Sequence, residues 1–123
     1  MNKKDNIVSA SAHYEFQSSI HEIFYDALYK AELKPIPDYK VEKWCHDFAI
    51  IDGDRRLGIK IDGEPYLRQD DDYYNRMARR NESRKKRLIE LGWDDMRILT
   101  GQILNDIPTV IKAIRKWLDA GRT

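Results

Sequence analysis

The stretch from Trp44 to Gly63 limits the fold more than any other. Two short apolar runs, Phe48 to Ile51 and Leu57 to Ile61, flank an Asp52-Gly53-Asp54 turn signal, which predicts a β-hairpin. Each run carries charge that a buried strand normally excludes: Asp47 opens the first, and Lys60 and Asp62 close the second. Strand side chains alternate, so Lys60 and Asp62 project from one side and Leu57, Ile59 and Ile61 from the other. Buried charge must be paired or used. The plain reading is a solvated or salt-bridged strand end; the functional one is a site.

Around the hairpin, 123 residues suffice for one domain with one core, expected over 14–120. Residues 1–13 are polar and aperiodic and read as a flexible N-terminal arm, where His13 is solvated. Phe16, Ile20, Ile23, Phe24, Ala27, Leu28 and Ala31 share one face of a helix over 14–34, capped by Ser18 or Ser19 and ended by Pro35 and Pro37. Tyr39 to Trp44 alternates weakly, as a strand would. Residues 73–91 read as a second helix, with Met77, Leu88 and Leu91 buried, and the acidic run Asp70-Asp71-Asp72 suits its N-terminus. Met96 to Thr100 reads as a strand. Ile107 to Leu118 reads as a closing helix, with Val110, Ile111, Ile114 and Leu118 inward. The order is α-β-β-β-α-β-α. No apolar run reaches membrane-spanning length, and no signal segment follows the N-terminus. One cysteine, Cys45, excludes an internal disulfide and a cysteine zinc cage, and reads as core. A cytoplasmic setting is the default.

Charged residues make up 35% of the chain, yet the net charge is +1, so local patches matter more than the total. The second helix holds the strongest patch. Arg76, Arg79, Arg80, Arg84, Lys85, Lys86 and Arg87 stand against only Glu82 and Glu90. Like charges three and four residues apart repel, and spaced guanidinium groups suit a phosphate backbone. A solvated face that keeps a small protein soluble is the competing reading. Tyr73 and Tyr74 are stacking candidates or rim, and Trp44 and Trp93 read as core or rim.

The ordered motifs Ser18-x-Ile20…Phe24-Tyr25-Asp26-Ala27-Leu28, His46-Asp47-Phe48-Ala49-Ile50, Leu57-Gly58-Ile59-Lys60-Ile61-Asp62-Gly63-x-x-Tyr66, Arg84-x-x-x-Leu88-x-x-x-Gly92-Trp93 and Arg97-Ile98 resemble the very-short-patch-repair-like branch of the PD-(D/E)XK nuclease superfamily. The resemblance spans roughly residues 18–115. It implies a restriction-endonuclease-like α/β (α+β) fold, a mixed sheet flanked by helices, and metal-dependent cleavage of a DNA phosphodiester. Asp47 matches the family's first-strand aspartate and Asp62 the aspartate of its Ile-Glu-x-Asp-Gly motif. The glutamate of that motif is Lys60 here, and the family's helix glutamate falls on His21. Its later histidine falls on Leu67 and its later aspartate on Asn81. Because positions 60 and 62 share a face, an exchanged acid and lysine would keep the charge inventory. The resemblance then implies Mg²⁺ or Mn²⁺ on Asp47 and Asp62, Lys60 assisting, and His21 as base or outer-shell group. DNA would lie along Arg76, Arg79, Arg80, Arg84, Lys85 and Arg87.

Two rival readings follow from the departures. One is a nucleic-acid-binding module, for DNA or RNA, that kept the fold and lost the ion. The other is a structural domain whose basic helix meets an acidic protein. The lack of a second DNA-reading module suggests a partner, a dimer or weak specificity, and a place in a larger multidomain protein stays open.

Overall fold

The structure, a computed structural model, describes residue 16, residues 18–63 and residues 71–122, the last without the side chains of 71–75, 77 and 78. The arm expected over 1–13 lies outside these residues, as do Tyr66, Leu67 and the side chains of Tyr73, Tyr74 and Met77.

Helix α1 (Ser19–Lys30) opens at Ser18, whose Oγ accepts from the His21 N–H at 3.4 Å. This cap supplies an acceptor to one of the unpaired N–H groups of the first turn. Strands β1 (Ile36–Val41), β2 (Trp44–Asp52) and β3 (Arg55–Asp62) form an antiparallel meander. The turn between β2 and β3 carries Gly53 at φ 63°, a left-handed conformation that glycine adopts without steric cost. Helix α2 (Asp71–Glu90) crosses over and returns the chain as β4 (Trp93–Leu99), parallel to β3. A short helix α3 (Thr100–Asn105) and the closing helix α4 (Ile107–Ala120) complete the chain. The sheet order is β1-β2-β3-β4.

The expected order is therefore present, with α3 added before the last helix. Six residues are too few to show a helical period, so α3 left no clear mark on the sequence. β1 lies three residues earlier than Tyr39–Trp44. Pro37 sits inside it, which an edge strand tolerates because one row of its N–H groups needs no partner. β4 also starts three residues early, at Trp93, which is buried.

Two hydrophobic clusters sandwich the sheet. On one face Phe24 and Leu28 of α1, Ile103 of α3, and Val110, Ile114 and Leu118 of α4 pack on Phe48, Ile50, Leu57, Ile59, Ile61 and Ile98. Phe24 and Leu28 are fully buried, each contributing about 1.5–3 kcal/mol of transfer free energy. Ile23, expected on that face, is exposed, because it sits at its margin. On the other face Leu88 of α2 packs on Ala49 and Trp93. Cys45 is exposed, not core, and its neighbour His46 is the buried one.

Candidate functional site

The hairpin loses its regular alternation at Asp47. Phe48 packs on α1, edge-on to Phe24. His46, two residues earlier, should share that face, but its ring stacks on Trp93 on the opposite one. Across from it Gly58 leaves room: a Cβ there would collide with the imidazole ring. On β1, Asp38 takes φ 49° between Pro37↔Phe48 and Tyr39↔His46, so both strands deviate at the same point.

Asp47 is 4% exposed, and both of its oxygens are engaged. Oδ2 accepts from the Ile61 backbone N–H at 2.7 Å, and the Lys60 ammonium stands 3.9 Å from the same oxygen. Oδ1 accepts from His21 Nε2 at 3.0 Å. His21 Nδ1 in turn lies 2.7 Å from the Ser18 hydroxyl. An ionised carboxylate only accepts, so Nε2 carries the proton toward Asp47. With Ser18 on one ring nitrogen and Asp47 on the other, His21 orients the aspartate and has no nitrogen left for water.

The fold thus brings Asp47, His21 and Lys60 together. Asp62 follows Ile61 directly, but its carboxylate forms an ion pair with Arg97 on β4. Among the described residues no group of three or more His, Cys, Asp and Glu side chains forms a metal cage. Mg²⁺ rarely uses such a cage; it takes one or two carboxylates and fills its shell with water and phosphate oxygens. Each Asp47 oxygen keeps a second lone pair, and the Asp62–Arg97 pair is partly exposed, a kind of pair that breaks at little cost. Hard oxygen donors of this number suit the ion.

The basic helix divides into distinct roles. Arg84 is buried, not a phosphate contact as expected: its Nη2 donates to Asp95 Oδ2 at 2.9 Å, fastening α2 to β4. Burying a guanidinium requires such a partner. Arg87 forks onto Glu42 at 3.0 and 2.8 Å and reaches Glu90 at 3.2 Å. The Arg87 guanidinium holds the Glu42 carboxyl below its usual range. Arg76, Arg79, Arg80 and Lys85 are exposed. At about 100° per residue, Arg76, Arg79 and Arg80 share one flank, while Lys85 lies about half a turn from Arg76.

Sequence reasoning missed three partners. Ser18 reads as a helix cap and a motif residue and not as a partner of His21, although its spacing of three from His21 puts both on one helix face. Arg97 and Asp95 come from β4, and no local pattern links them to Asp62 or Arg84.

The four-stranded mixed sheet between helices, with a buried carboxylate at the open end of its central hairpin, has the element order of a restriction-endonuclease-like fold. Among solved structures the catalytic domain of the homing endonuclease I-Bth0305I is similar, with a TM-score of 0.63 and 19% identity, covering 84% of this chain and 97% of that chain. No protein-family model and no curated protein matches the chain. What is shared at this identity is a nuclease-type fold. No helix among the described residues is long and apolar enough to cross a membrane.

Proposed function

We propose that the chain is a cytoplasmic, metal-assisted DNA endonuclease domain of the very-short-patch-repair-like branch. The observation that carries this reading is Asp47, a buried carboxylate held at the open end of the hairpin in a nuclease-type fold. Asp47 would be the first ligand for Mg²⁺ or Mn²⁺ and Asp62 the second. When bound there, such an ion polarises a phosphate and lowers the pKa of a water. The protein supplies the rest. The Ile61 N–H and His21 fix the Asp47 carboxylate, and Lys60, 40% exposed, can turn from Asp47 to a phosphate oxygen. Arg76, Arg79 and Arg80 present a positive flank to the DNA backbone.

A second reading is favoured by the same contacts. Lys60 already balances Asp47, which His21 also holds by a hydrogen bond, and Arg97 balances Asp62, an arrangement that is complete without an ion. On that reading the domain binds nucleic acid, DNA or RNA, and does not cut it.

A cleavage assay on plasmid and single-stranded DNA, with Mg²⁺ or Mn²⁺ beside EDTA, separates them. Metal-dependent cleavage that Asp47→Asn reduces to the EDTA background, with binding kept or strengthened, supports the endonuclease. Equal cleavage by Asp47→Asn removes the proposed site. No cleavage by the unaltered protein, with binding that weakens as salt rises, supports the second reading.

A further inference from the structure

Away from Asp47, the β1–β2 turn and α2 enclose an open groove of about 390 Å³, lined by Lys43, Trp44, Arg79, Arg80 and Ser83. Its volume falls in the range of small-ligand pockets, about 300–1,000 Å³. The lining is chemically one-sided: three cations, one hydroxyl, one aromatic ring and no carboxylate. Trp44, expected as core or rim, is half-buried at the rim, and the Lys43 ammonium hovers 5.3 Å from the centre of its ring. Arg87, forked onto Glu42, ties the β1–β2 turn to α2 and so fixes one wall against the other.

A pocket of this character suits a ligand that joins a flat π-face to an anion. We propose that it holds an unpaired nucleotide of a nucleic-acid strand, with the base on Trp44 and the phosphate on Lys43, Arg79 and Arg80. A paired base keeps both faces in its own stack, so only an unpaired or extruded base can reach the ring. Base–aromatic stacking outweighs an exposed cation–π contact, so Lys43 swings from the ring to the phosphate on binding. Trp44 precedes Asp47 by three residues on β2, but the groove lies on the α2 side of the sheet while the Asp47 carboxylate faces α1. This assignment rests on the nucleic-acid reading above but not on cleavage.

The test is anisotropy with a short fluorescent oligothymidylate and a blunt duplex, in EDTA. Trp44→Leu should weaken single-strand binding roughly tenfold and Trp44→Phe should restore most of it, with duplex binding unchanged by either. Lys43→Ala and Arg79→Ala, both at exposed positions, should each flatten the single-strand salt dependence by about 0.7 in slope. These two variants report on the groove should Trp44→Leu fold poorly. Unchanged single-strand binding in Trp44→Leu, or an equal loss on duplex, overturns the proposal. Loss of single-strand binding in a protein that never cleaves leaves the groove standing and the endonuclease reading fallen. Metal-dependent cleavage by a protein whose strand binding ignores Trp44 and Lys43 does the reverse. A protein that binds neither nucleic acid overturns both.

Discussion

His46 and Asp47 are neighbours in the chain and both buried, yet they meet opposite sides of the molecule. Asp47 reaches α1 through His21, while His46 lies over Gly58 against Trp93. Burial pushes the His46 imidazole below its usual pKa, and the nearby Arg84 pushes the same way, with Lys60 adding a little. Asp95, 3.8 Å from Nε2, opposes them without reaching hydrogen-bond distance. The unfolded chain therefore takes this proton near pH ~6.5, and the folded chain only at lower pH. Stability from this group is complete above ~6.5 and erodes below it, by at most about 1.4 kcal/mol per pH unit. Urea unfolding at pH 7.5 and pH 5 should show this loss in the natural protein. His46→Phe, which keeps a ring on Trp93, should show less of it; an equal loss would mean the proton goes elsewhere.

At the scale of the element, α2 is two helices in one. Its inner side anchors the fold through Leu88 and the Arg84–Asp95 pair, and its outer flank carries Arg76, Arg79 and Arg80. Removing one member of a buried ion pair leaves the other charge stranded, which costs about 3–5 kcal/mol. Arg84→Ala should therefore destabilise the protein by roughly 3 kcal/mol, and Arg79→Ala by under about 0.5. Chemical denaturation of the two variants checks this. Near-equal values would put Arg84 back among the surface charges. The sequence reading grouped these arginines because they repeat at helical spacing. Spacing identifies a shared face; it does not say which face meets the sheet.

For the whole molecule, the sheet separates two jobs. The α1 side holds Asp47 in place, and the α2 side presents charge beside the Lys43–Trp44 turn. Three cations on one flank give a defined salt dependence. Duplex binding should fall with salt at a log–log slope of about −3, since each neutralised phosphate contributes about −0.9. Arg80→Ala should reduce that slope by about one, and Lys85→Ala, on another side of α2, should leave it unchanged. A slope lost equally in both variants would mean that charge acts in bulk and not through the flank.

Much of this architecture was legible in the chain. The Asp52-Gly53-Asp54 turn, the Ser18 cap, the helical period of α1 and α4 and the alternation of β3 are local patterns, set by backbone sterics and hydrophobic periodicity. They place Asp47, Lys60 and Asp62 on one hairpin. Which charges pair was decided only by the fold, because an ion pair depends on distance across strands and not on sequence separation. Residues 26 positions apart join His21 to Asp47, and 35 positions separate Asp62 from Arg97. The groove has the same origin: Lys43 and Trp44 become one wall of it only where the α2 crossover returns Arg79 and Arg80 to them.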